Sequence, residues 1–372
     1  MENTTKKWLK ITAIILAVLI VAMAATLGGM AAAHYVKVSD VESLEVEYNG
    51  EKLNVILMIG DGMGFSHVSA ATAKYGDLFF NTQADYKSSV TTFSRDVFDP
   101  TDSAAAATAL ATGHKTDNGK VAMYGGKDLA STTELAISLG MATGVIATEG
   151  VDGATPAGFS AHAPSRNDLD EILADQLKSG IDLFFGSNVE RYAPLKAQIE
   201  KSYTYVDAFS DIASADGKIF ASFEEIPLEG GGEAKPTLAS LAVAALDILS
   251  VDEDGFFLMI EESHIDKCSH NNDLFGAIEH VKAYDNAIKA VVEYAERIGN
   301  TIVIVTADHE TGGLQYNGET ADRLSDDMYT KGSHSKADVP FYVFGDIDFD
   351  LSRITDNTLI AKLCQAVISA DK

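Results

Sequence analysis

Short apolar runs recur along most of the chain, and segments with helical periodicity separate them. Continuous apolar runs of about four to eight residues, bounded by turn residues, are typical of strands buried on both faces of a sheet. We predict such strands over residues 53–59, 142–147, 182–185, 256–260, 301–305 and 339–344.

The clearest helical segment spans residues 273–297, where apolar side chains recur at steps of three and four. This spacing places them on one face of an amphipathic helix. The predicted buried stripe consists of Phe275, Ile278, Val281, Tyr284, Ile288, Val291 and Ala295. Strands that alternate with such helices predict an α/β fold, with a doubly wound, mostly parallel central sheet and helices on both faces.

The N-terminal segment follows a different pattern. Lys6, Lys7 and Lys10 precede residues 11–33, which carry no charge. A run of about 20 apolar residues is long enough to span a bilayer as a helix, and lysines in front of it predict a cytoplasmic N-terminus and an exported remainder. No polar face interrupts the run, which argues against the alternative of a buried core helix.

We expect residues 1–33 to be a signal anchor or a cleaved signal peptide. The length of the run favours an anchor, whereas the small residues at 31–33 offer a cleavage site. An anchored protein would sit on the outer face of the cytoplasmic membrane, held through residues 11–33, and a cleaved one would be secreted or periplasmic. Residues 34–50 are predicted to be a tether and residues 51–372 a single domain.

The net charge of the chain argues against one class of partner, the nucleic acids. The chain has 28 basic and 55 acidic residues, which give a formal net charge of −27. Nucleic-acid binders need a basic face against the phosphate backbone, so we expect no specific nucleic-acid partner. Two cysteines, Cys268 and Cys364, are too few for a disulfide scaffold or a four-cysteine zinc module.

Ligands of such sheets bind beyond the carboxyl ends of the strands, so the residues that follow each apolar run carry the chemistry. Gly60-Asp61-Gly62-Met63-Gly64 follows the first run. It fails the dinucleotide-binding pattern, because the third glycine would fall at Phe65 and Asp61 would repel a pyrophosphate. Asp61 suits a cation instead, and a plain turn is the alternative.

Two further segments carry groups suited to an anionic substrate. In residues 101–109, Asp102 or Ser103 can cap an alanine-rich helix. Ser103 at the helix N-terminus could hold an anion or, if a metal ion lowers the cost of its alkoxide, act as a nucleophile. Arg166, after the run at 142–147, could clamp two phosphate oxygens with its planar fork; an ordinary surface arginine is the alternative.

Carboxylates and imidazoles follow the later runs. Asp266 and His270 are four residues apart, so one helical turn places both on one face. Asp308 and His309 follow the run at 301–305, and His334 precedes the run at 339–344. This ligand set suits zinc, and it exceeds the needs of one tetrahedral ion, which implies two metal ions. Glu261 with Thr155 adds an oxygen set that suits Mg²⁺. His264 is a further imidazole here, but its offset points it elsewhere.

The ordered set of motifs resembles the alkaline phosphatase family from about Leu53 to the C-terminus. The resemblance implies a first zinc site formed by Asp61, Asp308 and His309, with Ser103 as nucleophile and ligand. It implies a second zinc site formed by Asp266, His270 and His334. Asp61, Thr155 and Glu261 would bind magnesium, Arg166 would hold the phosphate, and Lys267 could reach the phosphate through water.

The resemblance also implies the activity. Phosphate monoesters would be hydrolysed to an alcohol and inorganic phosphate through a phosphoserine, with two zinc ions and one magnesium ion. The protein would be a homodimer, and residues 51–372 would form its catalytic domain. A phosphodiesterase or sulfatase relative on the same scaffold and a non-catalytic zinc- or phosphate-binding surface protein are the alternatives.

Gly153 departs from the family, since other members carry an acidic residue or a histidine there. The magnesium site is therefore expected to be weaker, shifted onto the adjacent Asp152, or taken by another ion.

Overall fold

A computed structural model describes residues 2–230 and 235–370. Within these ranges there are thirteen strands: β1 (Asn54–Gly60), β2 (Tyr86–Val90), β3 (Met123–Tyr124), β4 (Lys127–Asp128), β5 (Ala142–Ala147), β6 (Leu183–Gly186), β7 (Thr204–Val206), β8 (Ile219–Ser222), β9 (Phe256–Glu262), β10 (Thr301–Thr306), β11 (Glu310–Thr311), β12 (His334–Ser335) and β13 (Val339–Phe344). The same ranges contain thirteen α-helices: α1 (Glu2–Glu42), α2 (Phe65–Tyr75), α3 (Phe79–Gln83), α4 (Ser103–Thr112), α5 (Thr132–Ser138), α6 (Ala154–Ser160), α7 (Leu169–Gln176), α8 (Val189–Tyr192), α9 (Lys196–Ile199), α10 (Leu238–Leu249), α11 (His264–His270), α12 (Leu274–Ile298) and α13 (Asn357–Ile368).

Nine of the described strands form one sheet in the order β2-β13-β10-β1-β9-β5-β6-β8-β7. The strands from β10 to β7 pair in parallel, whereas β13 runs antiparallel to both of its neighbours. Two groups of helices pack against the sheet, α12 with α2, α3 and α10, and α4 with α5, α6 and α13. Central strands that touch both groups are buried on both faces, which confirms the predicted α/β fold with a mostly parallel sheet.

The long apolar runs predicted the central strands closely. β5 and β13 match their predicted ranges, and β1, β6, β9 and β10 differ from theirs by one or two residues at an end. The strands at the sheet edges were not predicted. β2 has the sequence Tyr-Lys-Ser-Ser-Val and is only partly buried, because an edge strand does not need a continuous apolar run.

The long amphipathic helix is α12, and its apolar stripe is buried with one exception. Six of the seven predicted stripe residues are buried, but Phe275 in the first turn keeps 39% of its surface exposed. Asp273 caps this helix by accepting a hydrogen bond from the Gly276 N–H at 2.9 Å. The predicted position of Phe275 on the buried face is therefore wrong, because in the first turn Leu274 and Ala277 occupy that face.

The helix α1 extends further than the predicted segment. It continues to Glu42 through the first half of the proposed tether, and its end contacts the domain. The Glu42 carboxylate pairs with Arg95 at 2.6 Å and accepts the Lys115 N–H at 2.9 Å, and Val38 is buried. The last turns of this helix are thus part of the folded body.

In the part of the chain that the structure describes, no helix is long and apolar enough to cross a membrane. The anchor or signal segment predicted over residues 11–33 falls partly on side chains outside that description, and it stays a prediction. Cys268 and Cys364 are both free thiols.

Candidate metal centre and active site

The predicted site residues meet at the carboxyl edge of the central strands. β10, β1, β9 and β5 are neighbours in the sheet, and the segments that follow β10, β1 and β9 supply Asp308 and His309, Asp61, and Asp266. Because β13 runs antiparallel, its start lies at this same edge. His334 reaches the edge through a small ribbon in which β12 pairs with β11 and places His334 opposite Thr311.

A first group of donors consists of Asp61, Asp308 and His309, whose ligand atoms all lie within 4.8 Å of one another. His309 Nε2 lies 3.2 Å from Asp308 Oδ2 and 3.6 Å from Asp61 Oδ1. Both of these carboxylate oxygens are buried and have no hydrogen-bond partner. Unpartnered buried carboxylate oxygens that converge with an imidazole nitrogen fit a zinc-type cation.

The turn after β1 holds this group together. Gly62 has a φ of +77°, and a Cβ there would lie 2.7 Å from the Asp266 backbone, so the close approach requires glycine. The Gly62 N–H donates to Asp308 Oδ1 at 3.0 Å, and the His309 N–H donates to the same oxygen at 2.8 Å. One oxygen of Asp308 is thereby fixed, and the other is left facing the imidazole.

A second group consists of Asp266, His270 and His334. Asp266 and His270 lie one turn apart on α11, with His270 Nε2 3.3 Å from Asp266 Oδ2. His334 Nε2 lies 3.1 Å from His270 Nε2 and 3.6 Å from Asp266 Oδ1. The other ring nitrogens contact carbonyls, His270 Nδ1 that of Gly332 and His334 Nδ1 that of Thr101, each at 2.8 Å. These contacts with backbone carbonyls orient both Nε2 atoms inward, as hydrogen bonds to the outer nitrogen of a metal-binding histidine do.

The two groups adjoin each other. The rings of His309 and His334 stack with their centroids 3.6 Å apart, and Asp266, His309 and His334 also hold ligand atoms within 4.8 Å. Thr311 was not singled out in the sequence, yet its hydroxyl contacts both Asp266 Oδ1 and His309 Nδ1. It links the groups at their boundary.

Asp61, Thr155 and Glu261 provide a third set of oxygens. Asp61 Oδ1, Thr155 Oγ1 and Glu261 Oε1 are all buried without a hydrogen-bond partner. The second Glu261 oxygen accepts a hydrogen bond from Ser263 Oγ at 2.8 Å. All-oxygen donors of this kind fit a hard cation such as Mg²⁺.

The expected shift of this third site onto Asp152 does not match the structure. Asp152 Oδ2 pairs with Arg191, and its Oδ1 accepts a hydrogen bond from the Tyr192 hydroxyl. Both of its carboxylate oxygens are therefore engaged by these two partners rather than left free for a cation.

Glu149, which was not singled out in the sequence, occupies the space beside Gly153. A Cβ at position 153 would lie 2.8 Å from Glu149 Oε1, so the glycine leaves room for that carboxylate. Glu149 also forms an ion pair with Lys267. Together with burial, its charge raises the pKa of Glu261 to about 8, which indicates that the two carboxylates are close.

Ser103 stands at the N-terminus of α4 and faces the first group. Its Oγ lies 3.2 Å from His309 Nε2, and the residue is 3% exposed. Asp102 caps the helix by accepting the Ala105 N–H at 3.0 Å. The other Asp102 oxygen holds Arg166 Nη1 at 3.1 Å, and the Arg166 side chain stays 34% exposed. Arg166 is thus tied beside Ser103 with part of its guanidinium open to solvent.

The electrostatics of the centre reflect a concentration of buried acids. Burial and the neighbouring Asp308 raise the pKa of Asp61 well above its usual value, and burial raises the pKa of Asp308 to about 6. Burial lowers the pKa of His309 and of His334 to about 4, so both imidazoles are neutral at neutral pH. In the first group, a neutral imidazole beside carboxylates that resist ionisation forms a site that a bound cation would stabilise.

The structure brings together nearly all of the predicted residues. Asp61, Ser103, Asp266, His270, Asp308, His309 and His334 share two adjoining donor groups, with Thr155 and Glu261 in the third set and Arg166 beside Ser103. Lys267 contacts Glu149 rather than one of the predicted ligands. The signal that could have found Glu149 is its place just after β5, at the same edge as the other acids.

Comparisons with known proteins agree with this geometry. The family model described as alkaline phosphatase matches residues 52–191 and 218–326. Alkaline phosphatase 4 of Bacillus subtilis is 33% identical over 335 residues, which cover 81% of this chain and 71% of that protein.

Two solved structures have a similar fold. A cold-active alkaline phosphatase from Shewanella sp. has a TM-score of 0.74 at 27% identity and covers 85% of this chain and 100% of its own. A histidine-to-aspartate variant of TAB5 alkaline phosphatase, described with Mg bound in its M3 site, has a TM-score of 0.72 at 28% identity, with coverage of 87% and 100%.

Proposed function

Because the chain belongs to the alkaline phosphatase family and is therefore a phosphomonoesterase, we propose that it hydrolyses phosphate monoesters through a phosphoserine at Ser103. The observation that carries this proposal is the position of the Ser103 hydroxyl. It lies at a helix N-terminus and 3.2 Å from His309 Nε2, at the edge of a buried donor group. A serine placed only as a helix cap would have no reason to face that group, and Asp102 already fills the capping role.

The donor sets fit the proposed metals. Asp61, Asp308 and His309 would hold one zinc ion, and Asp266, His270 and His334 a second. Asp61, Thr155 and Glu261 would hold magnesium, and unpartnered oxygens in that set support this assignment. When bound, the cations would supply positive charge against the phosphate oxygens and favour the ionised form of a nearby hydroxyl. That charge is needed in a chain with a net charge of −27.

The reaction steps follow from the groups that the chain provides. Ser103 Oγ attacks phosphorus as the ester P–O bond breaks on the opposite side, and the serine proton passes overall to the departing alcohol. A water molecule then attacks the phosphoserine, the P–Oγ bond breaks, and Ser103 regains a proton from that water. Arg166, held in place by Asp102, would bind two phosphate oxygens through its planar fork.

A preference for monoesters is the first test of this function. Arg166 suits the two negative charges of a phosphate monoester dianion, whereas a phosphate diester and a sulfate monoester each carry only one. We therefore expect 4-nitrophenyl phosphate to be hydrolysed at least about 10²-fold faster than bis-4-nitrophenyl phosphate or 4-nitrophenyl sulfate, because a site whose charged and polar groups are left unpaired rejects a substrate by this factor or more. Release of nitrophenolate by the metal-loaded protein measures all three rates. A faster diester or sulfate rate would favour the related phosphodiesterase or sulfatase, and no rate with any substrate would favour the non-catalytic binding protein.

Glu149 is proposed to supply the negative charge that Gly153 lacks in the magnesium set. The Glu149→Gln variant keeps the shape but removes the charge beside Glu261, so we expect it to weaken Mg²⁺ binding by about 10-fold, which corresponds to about 1.4 kcal/mol. Titration of the zinc-loaded protein with Mg²⁺ in a calorimeter gives the affinity without reference to activity. The exposed Glu190→Gln change is the matched control. Equal Mg²⁺ affinity in both variants would remove Glu149 from this role.

The remaining expectations on assembly and location stay predictions. A homodimer, export across the cytoplasmic membrane, and an anchor within residues 11–33 rest on the sequence alone. Gel filtration and membrane fractionation of the full chain would test them.

A further inference from the structure

A second cluster of imidazoles lies behind the proposed magnesium set. Glu261 and Glu262 are the last two residues of β9, and successive side chains of a strand point to opposite faces. Glu261 joins Asp61 and Thr155, whereas Glu262 meets His264 at the start of α11 and His280 on α12. His264, whose offset in the sequence separates it from the other donors, lies in this cluster.

The three donor atoms have the spacing of ligands that share one ion. His280 Nδ1 lies 3.0 Å and His264 Nδ1 lies 3.5 Å from Glu262 Oε1, and all three atoms lie within 4.8 Å of one another. Two ligands at about 2.1 Å from a tetrahedral zinc ion are separated by about 3.4 Å. His280 Nδ1 is buried and has no hydrogen-bond partner despite its distance from Glu262, so the pair is not aligned as donor and acceptor.

The surroundings of Glu262 fit a cation. Its carboxylate is 2% exposed, and among the described residues no lysine or arginine forms an ion pair with it. Its partners, besides the two imidazoles, are the Thr148 hydroxyl at 3.2 Å and the His264 N–H at 3.0 Å. Thr148 Oγ1 accepts the Ser263 N–H at 2.8 Å and also lies 3.1 Å from His264 Nδ1, a contact that a metal ion on this nitrogen would replace. A buried carboxylate with only imidazoles to balance its charge is a costly arrangement that a bound divalent ion would relieve.

We propose that Glu262, His264 and His280 bind one divalent transition-metal ion of the zinc class, separate from the three donor sets of the active site. Two imidazoles and one carboxylate are a ligand set that zinc favours. His264 keeps 34% and His280 keeps 18% of its side chain exposed, so the ion has an approach from solvent and an open position for water. The bound ion would join α11, which carries Asp266 and His270, to α12.

The cluster has one competing explanation, which is an ion pair between Glu262 and protonated imidazoles without any metal. The two explanations predict different metal contents. The His280→Gln variant removes one ligand, and the exposed His114→Gln change removes a histidine from elsewhere on the surface and serves as the control.

The experiment measures zinc per chain in the full protein after equilibrium dialysis against buffered Zn²⁺, by atomic emission. We expect His280→Gln and His264→Gln to contain one zinc fewer per chain than the parent and His114→Gln. Loading with Co²⁺ should show the same loss in the visible absorption of the bound ion. Equal zinc content in all four proteins would overturn the proposal and leave the ion pair.

A second measurement needs no variant. Anomalous diffraction at the zinc absorption edge, from crystals of the zinc-loaded parent protein, should show a peak between Glu262, His264 and His280. The absence of that peak, with peaks present at Asp308 and at His270, would overturn the proposal even if the variants failed to fold. Both measurements detect bound metal, so their outcome is independent of whether the protein hydrolyses phosphate esters.

Discussion

Replacing Ser103 by alanine is expected to lower turnover of a phosphate monoester by at least about 10³-fold, since removal of a covalent nucleophile costs rates of this order or more. The folded structure should tolerate the change, because Asp102 and not Ser103 caps α4. Metal content should also stay the same, since the carboxylates and imidazoles of both zinc groups remain. Steady-state rates and metal analysis of the same preparation would measure both quantities.

The phosphoserine gives this prediction a second readout. Incubation of the parent protein with ³²P-labelled phosphate, followed by acid quenching, should leave label on a peptide that contains Ser103, and Ser103→Ala should take up none. Ser138→Ala, which removes an exposed serine of α5, is the matched control and should behave as the parent. Full turnover by Ser103→Ala, or label on another residue, would disprove the assignment.

Removal of the metal ions is expected to abolish hydrolysis and to lower the melting temperature in a pH-dependent manner. Without cations, burial and then repulsion by the neighbouring acids raise the pKa of Asp308 to about 6 and that of Glu261 to about 8. A carboxyl whose folded pKa is raised favours the folded state least when it is ionised. The lowered pKa values of His309 and His334 act in the opposite direction up to about 6.5, the usual imidazole pKa, because these buried imidazoles destabilise the folded state when they are protonated. The metal-free protein should therefore lose stability most clearly as the pH rises from about 6.5 to about 8.

The metal-loaded protein should show the opposite trend over the same range, because cations compete with protons for the same oxygens. Calorimetric melting temperatures at a series of pH values, with and without a chelator, would measure both curves. Chelator already saturated with zinc is the control for direct effects of the reagent. Parallel curves for the two forms would mean that these carboxyls do not hold the metals.

The sequence predicted the catalytic edge because that edge is built from buried strands. A central parallel strand is apolar along its whole length, so the change from apolar to polar residues locates its end in the sequence. The first polar residue after that change is therefore a candidate for the site. Asp61 after β1 and Asp308 after β10 were found in this way. His334 precedes its strand, and β13 brings it to the same edge by running in the opposite direction.

The parts that escaped prediction depend on distances that no pattern records. The position of Glu149 just after β5 could have placed it at the catalytic edge, but nothing in the order of residues says that its side chain fills the space left by Gly153, four positions later. The sequence did not single out Glu262, because it does not say which of two adjacent glutamates faces which side of the sheet. His280 lies on α12 among residues that describe an ordinary amphipathic helix, and only the packing of α12 against α11 brings it to Glu262.

The pairing of Thr311 with His334 affects the order in which the candidate metal ligands become available while the protein is synthesised. Asp61 is synthesised early, but the strand before it, β1, can pair with its neighbours β9 and β10 only after they are made, roughly two hundred residues later. His334 is synthesised later still, so both candidate zinc groups remain incomplete while most of the chain is being made. Until β12 pairs with β11, a zinc ion could meet only Asp266 and His270 of the second group, so we expect that group to be complete only after His334 has been synthesised and placed.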